Sequence, residues 1–237
     1  MSTHSRTRIN SVAPVRVLLV EDEPLYRELL VSAFELRLPG VTMAASCASA
    51  EEAIPLAAES TFDVLLTDVD LGPGMTGVEL GVHLRSQGRV TGVVLLSNLA
   101  LPAVLTTLPR SAQSGWAYLL KTSVSDLGQL NDAIGAAAEG RMMIDQSLVR
   151  DLSPSRNSPI SRLSPRQREV LSRVASGWSN RRIAEDLVLS VRSVESNISG
   201  IIAALGIEAA DYSVNPRVAA VLAFVQQTDF EGIRQPS

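Results

Sequence analysis

Between Val15 and Leu120 the chain carries five short runs of apolar residues, and four of them stop on a polar or charged side chain. Val15–Val20 (VRVLLV) ends at Glu21, Asp22 and Glu23, and Val64–Thr67 ends at Asp68 and Asp70. Val93–Leu96 ends at Ser97, and Ala117–Leu120 ends at Lys121; the remaining run is Val41–Ala45. Segments of helical period lie between them. In PLYRELLVSAFEL, Leu25, Leu29, Leu30, Ala33 and Leu36 keep that period. SAEEAIPLAAES is helix-prone, although Pro55 is expected to disturb its middle. A helix over Gly77–Gln87 follows the LGPGMTG loop, and another covers Asp126–Ala138 with Ser125 as N-cap. Between Leu101-Pro102 and Leu108-Pro109 there is room for barely two turns. Strands that are apolar throughout and alternate with helices belong to a parallel sheet covered on both faces. The fold expected is therefore a doubly wound, five-stranded α/β sheet, whose functional groups collect at the carboxyl ends of the strands.

The pattern changes after residue 150. Residues 151–161 (DLSPSRNSPIS) have linker composition, and the chain beyond them is helical. Ser164-Pro165-Arg166-Gln167 reads as a capping box, and Gly177 closes the helix it opens. A short helix spans Asn180–Leu187; Ser190 caps a third over Val191–Leu205, ended by Gly206, and Asn215-Pro216 opens a fourth. The expected organisation is a flexible N-terminus (1–14), an α/β domain (15–140), a linker (141–160), an all-α four-helix domain (161–228) and a tail (229–237). From Ser161 onward nine arginines stand against eight carboxylates, so the acidic excess of the chain lies in the first part. That asymmetry permits nucleic-acid binding by the helical part.

Composition removes several classes. One cysteine, Cys47, excludes an internal disulfide framework and a cysteine-built zinc site, and two histidines exclude a His-rich one. No apolar run approaches the ~18 residues of a membrane span, and MSTHSRTRIN lacks a signal-peptide core, so a cytoplasmic location is expected. Of 21 cationic residues 20 are arginine and one, Lys121, is lysine. A single surviving lysine marks a position where a compact ammonium cannot be exchanged for a planar guanidinium.

Acids on neighbouring strand ends, an aspartate at the centre of the sheet, a hydroxyl and a lysine make up an inventory for phosphoryl transfer to a carboxylate. Such chemistry needs a divalent cation against the gathering negative charge and a further cation for the displaced oxygens. Magnesium (Mg2+), which takes oxygen ligands and keeps waters, suits two or three carboxylates. The segments LLVEDEP, DVLLTDVDLGPGMTG, VVLLSN and AYLLK resemble the receiver domain of a two-component response regulator, a flavodoxin-like fold. The resemblance implies that Asp68 accepts the phosphoryl group from a sensor histidine kinase, and that Glu21 and Asp22 bind the metal. It further implies that Asp70 lends a backbone carbonyl to the metal, Ser97 follows the phosphoryl group, Tyr118 is an aromatic switch, and Lys121 pairs with the phosphate. The loop after Asp68 departs from the family by an extra residue, Gly72, and the proline-bounded fourth helix departs more.

LSPRQREVLSRVASGWSNRRIAEDLVLSVRSVESNISGIIAALGI resembles a LuxR-type helix-turn-helix, the output domain of NarL/FixJ-class regulators. Val170, Leu171, Val174, Ile183, Leu187, Val194, Ile198 and Leu205 are expected core, and Trp178 is expected to pack with them. In such a domain a recognition helix sets polar side chains against base edges while cations grip phosphates. The resemblance puts Arg192, Ser193, Ser196, Asn197 and Ser199 on that helix, with Arg182 contributed by the one before. The helix is weakly basic, and Glu195 adds a repulsive charge. The function expected is a non-enzymatic, phosphorylation-controlled transcription regulator that binds double-stranded DNA as a homodimer. An atypical regulator working mainly through protein contacts is the alternative. An aspartyl-phosphate phosphohydrolase of haloacid-dehalogenase type, suggested by the Asp-x-Asp of LLTDVD, is a distant one.

Overall fold

The structure is a computed structural model that describes residues 13–35, 38–98, 102–109, 113–151, 153–154, 158–207, 215–226 and 228–229. Residues 1–12 of the expected N-terminal extension, 152 and 155–157 of the linker, and 230–237 of the tail lie outside them. Strands β1 (Val15–Val20), β2 (Val41–Cys47), β3 (Val64–Asp68), β4 (Gly92–Ser97) and β5 (Trp116–Leu120) are parallel and lie in the order β2-β1-β3-β4-β5. Helices α1 (Pro24–Glu35), α2 (Ala50–Glu59), α3 (Gly77–Ser86) and α4 (Leu127–Ala138) cover the sheet.

The two faces of the sheet follow from alternation along each strand. Leu18, Leu65, Val93, Leu95, Trp116 and Tyr118 pack toward α2 and α3. Their neighbours Val17, Leu19, Val64, Leu66, Val94, Leu96, Ala117 and Leu119 pack toward α1 and α4. Both faces being covered, every residue of β3 and β4 is buried. Each aliphatic side chain taken fully out of water there contributes about 1.5–3 kcal/mol.

Several sequence expectations are corrected locally. Pro55 does not break its helix: α2 runs through it, capped by Ser49 and fixed by the buried Ala53 and Ala57. The N-cap of α4 is Asp126 rather than Ser125. Its carboxylate accepts from the backbone N–H of Gly128 and Gln129 at 2.9 and 3.2 Å, while Lys121–Ser125 winds as a 3-10 helix. A carboxylate can take both orphan donors and is favoured by the helix dipole. Between the prolines of the fourth helical segment Pro102–Thr107 is also 3-10, and it buries Leu105.

A sixth parallel strand, β6 (Met143–Ile144), joins β5 within the stretch expected to be linker, and α5 (Gln146–Asp151) comes directly after it. The helical part comprises α6 (Pro165–Ala175), α7 (Asn180–Asp186), α8 (Val191–Ala204) and α9 (Pro216–Gln226). Ser164, Ser179 and Ser190 each accept a backbone N–H at the start of their helices. A short antiparallel ribbon pairs β7 (Ser153–Pro154) with β8 (Thr228–Asp229). The two parts share one apolar core, in which Leu148, Val149, Ile160 and Leu163 meet Val170, Val174 and α9. α9 packs on Pro102–Thr107, and a Cβ on Gly177 would stand 2.7 Å from Met143 Cβ, so that turn needs glycine for close approach as well as for its φ of +76°. Among the described residues no single helix is long and apolar enough to cross a membrane.

Candidate functional site

The carboxyl ends of β1, β3, β4 and β5 open on a cleft of about 360 Å³ lined by Asp22, Glu23, Asp68, Asp70, Ser97 and Lys121. Parallel strands in register bring these ends together; the residues are remote in sequence and adjacent only because Asp68, Ser97 and Leu120 close neighbouring strands. The turn into α3 is unusually tight. A Cβ on Gly77 would fall 1.8 Å from the Asp68 carbonyl oxygen, so only glycine lets α3 start against the back of this residue.

Lys121 is the hub. Its Nζ lies 2.7 Å from Asp68 Oδ2, 2.8 Å from Glu21 Oε1 and 3.9 Å from Glu23 Oε2. Burial works against the ammonium, but its hydrogen bonds to Asp68 and Glu21 outweigh burial and hold its pKa above the ordinary lysine value. Glu21 is fully buried, and burial pushes its carboxyl up despite the opposing pull of Lys121. One carboxylate oxygen of Glu21 is occupied; the other, Oε2, is buried with no hydrogen-bond partner. Asp68 Oδ1 accepts the backbone N–H of Asp70 at 3.1 Å, and Asp70 in turn accepts that of Gly72 at 3.1 Å.

A cation would fit here. Glu21, Asp22 and Asp68 each present a carboxylate oxygen within 4.8 Å of the others. The buried Glu21 Oε2, which has no hydrogen-bond partner, is an oxygen donor of the kind a hard cation takes. Asp70 and Ser97 line the same cleft, Ser97 being 5% exposed. Tyr118 stands apart from it, 2% exposed and packed in the core on the α2–α3 side of β5.

Sequence reasoning missed Tyr26. Its ring lies 4.6 Å from Lys121 Nζ, and its hydroxyl donates to the Lys121 carbonyl at 3.0 Å, so one side chain fixes both ends of the lysine. Burial and the surrounding acids push its phenol above the ordinary tyrosine value. Its only signal was a place in the first turns of a helix that begins at the acidic cluster. Arg27, equally unremarked, donates to the Glu21 carbonyl at 2.5 Å.

In the helical part Arg192, Ser196 and Ser199 are exposed on α8, and Ser193 and Asn197 are half-buried. Asn197 Nδ2 donates back to the Ser193 carbonyl at 2.8 Å, inside its own helix. Arg182 is placed elsewhere, between the two domains. Its Nη1 lies 2.6 Å from Asp132 Oδ2 of α4, and its guanidinium lies 4.3 Å from the Trp178 ring. Trp178 packs against the core as expected, but only half-buried, and its outer side carries a second guanidinium, that of Arg173, 5.2 Å from the ring.

Residues 17–130 match the response regulator receiver domain, and residues 161–210 match the bacterial regulatory proteins of the luxR family. The chain is 30% identical over 219 residues to the nitrate/nitrite response regulator protein NarP of Escherichia coli, covering 90% of this chain and 96% of that protein. It is 31% identical over 217 residues to the probable transcriptional regulatory protein NarL of Mycobacterium tuberculosis, covering 90% and 94%. A structure of the RcsB response regulator of Salmonella typhimurium, at 21% identity, shares the fold with a TM-score of 0.50 over 91% of this chain and 99% of that one. A receiver sheet joined to a LuxR-type helical domain, matched over 90% of the chain by relatives of the same build, makes this chain a member of the NarL/FixJ-class two-component response regulators, a family of transcription regulators rather than enzymes.

Proposed function

We propose that this regulator is switched by phosphorylation of Asp68 and acts by binding DNA as a homodimer. The observation that carries the reading is the Lys121 ammonium, held 2.7 Å from Asp68 and 2.8 Å from Glu21 beside a buried, partnerless carboxylate oxygen. Magnesium held by Glu21, Asp22 and Asp68, with the Asp70 carbonyl as a further ligand, would neutralise charge gathering on the transferred phosphoryl group. An oxygen of Asp68 forms the new P–O bond as the P–N bond of a sensor kinase's phosphohistidine breaks. Lys121 then pairs with a phosphoryl oxygen in place of Asp68, and Ser97 offers its hydroxyl from the adjoining strand end. Tyr118, in the core below, is the aromatic switch of this reading.

On α8, Arg192 grips phosphate and Ser193, Ser196, Asn197 and Ser199 face the bases, with Arg182 adding a second phosphate contact from α7. In the present arrangement Asp132 occupies Arg182, so a DNA phosphate and the receiver compete for one guanidinium. Incubation of the full-length protein with a small phosphodonor and magnesium, then peptide mass analysis, tests the first step. One phosphoryl group should appear on the Asp68 peptide and be absent from Asp68→Asn. Acid-labile phosphate retained on the Asp68→Asn protein would reject the assignment.

A further inference from the structure

Directly after β6 stands a carboxylate that phosphoryl transfer does not use. Asp145 is fully buried, and the groups that hold it are all uncharged. Its Oδ2 accepts the backbone N–H of Leu120 at 3.0 Å, the residue immediately before Lys121. Its Oδ1 accepts the backbone N–H of Ser147 at 2.9 Å and the Ser147 hydroxyl at 2.6 Å, which starts α5. The Ser123 side chain adds a further hydrogen bond, and these donors together keep the carboxyl below its ordinary value although burial opposes them. The backbone joins in: Asp145 N–H donates to the Tyr118 carbonyl at 2.8 Å.

One buried side chain thus holds three pieces that have different tasks. The first is the end of β5, with Tyr118 and Lys121. The second is the 3-10 turn Lys121–Ser125. The third is α5, whose Leu148 and Val149 are buried in the core shared with α6 and α9. An ionised carboxylate with uncharged partners in a buried place is costly unless every acceptor position is filled, which makes the arrangement stiff. A displacement of the backbone from Tyr118 to Ser123 must either carry Asp145 with it or strip a buried charge of its donors.

We propose that Asp145 is a positioning residue that couples the Lys121 end of β5 to α5, so that a change at the Asp68–Lys121 pair reaches the helical domain through the start of this helix. The proposal rests on phosphorylation of Asp68 and adds the route by which its effect leaves the receiver.

The test is hydrogen exchange on the full-length protein with magnesium, with and without beryllofluoride as the phosphoryl mimic. Two peptides are read: one spanning Leu119–Ser125 and one spanning Gln146–Val149. In the wild type both should change on adding the mimic. Asp145→Asn keeps an acceptor for the start of α5 but can turn an amide donor toward the Leu120 N–H. It should leave the first peptide responsive and reduce the response of the second about tenfold, the loss of one hydrogen bond to a charged group. Ser147→Ala removes only the hydroxyl contact and should keep both responses. A wild-type-sized response of α5 in Asp145→Asn overturns the proposal, as does equal loss of both responses, which would make Asp145 merely structural. Uncoupling by Ser147→Ala overturns it too, since helix capping would then be the cause. No response at Leu119–Ser125 in the wild type would instead remove the phosphorylation reading, and the coupling with it.

Discussion

Removing the carboxylate of Asp132 should release Arg182 and improve DNA binding by the unphosphorylated protein, by a small and calculable amount. The pair is short, 2.6 Å, but its side chains are 46% and 37% exposed, so water and salt screen it. Exposed pairs of this kind contribute about 0.2–1 kcal/mol. Stacking of the guanidinium on Trp178, 4.3 Å away, restricts it and argues for the upper part of that range. One kcal/mol is about fivefold in an equilibrium constant, so Asp132→Ala should tighten binding to an arbitrary duplex about two- to fivefold. There is a second signature. A freed Arg182 that reaches a phosphate displaces one more counterion, steepening the slope of log affinity against log salt by about 0.9. Fluorescence anisotropy with a labelled duplex at several salt concentrations reads both quantities, and Arg182→Ala should show neither gain. If Asp132→Ala matches the wild type in affinity and slope, Arg182 does not serve both partners.

The remaining predictions concern the two sites directly. Lys121→Arg should fail almost as badly as Lys121→Ala in mimic-induced dimerisation, measured by sedimentation, because at this buried position a broad, planar guanidinium does not replace the compact ammonium as a point charge over one phosphoryl oxygen; full dimerisation of the arginine variant would make Lys121 an ordinary lysine. A carboxyl whose pKa folding raises contributes stability while protonated and loses that contribution as pH climbs through the raised value. Glu21→Gln should therefore raise the Tm of the metal-free protein at neutral pH, with the gain shrinking toward the acid range where Glu21 protonates, and should weaken magnesium binding at neutral pH; a lowered neutral Tm would contradict the burial argument. Asn197→Ala should cost about 1–3 kcal/mol at a specific site and relax base preference, whereas Arg192→Ala should weaken all duplexes alike and flatten the salt slope by about one; both are read on specific and scrambled duplexes, and unchanged binding in both would move DNA contact away from α8.

The receiver sheet was legible because its information is local and repeated. Each apolar run encodes a buried strand, and the acids, the serine and the lysine fall at run ends whatever the loops do. The same logic carried Asp22, Asp68, Asp70, Ser97 and Lys121 to one cleft, with the buried Glu21 paired to Lys121. What escaped was set by tertiary contact. Met143–Ile144 is too short to show a period and becomes a strand only because β5 offers it an open edge. Tyr26 looks like any helical tyrosine until the fold brings Lys121 over its ring. Pro55 breaks a local rule, but the Ser49 cap and two buried alanines outweigh it. The place of Arg182 on its helix points only to phosphate, and its pairing with Asp132, fifty residues earlier, depends on how the domains pack.

Everything proposed for this regulator requires that chemistry at Asp68 control DNA binding by the helical domain. The decisive quantity is the affinity of the full-length protein for one duplex in magnesium, with and without beryllofluoride, for the wild type and for Asp68→Asn. The mimic should tighten binding by the wild type, with a steeper salt slope as a second protomer joins, and should leave Asp68→Asn unchanged. An equal response from both proteins, or no response from the wild type, would contradict control through Asp68.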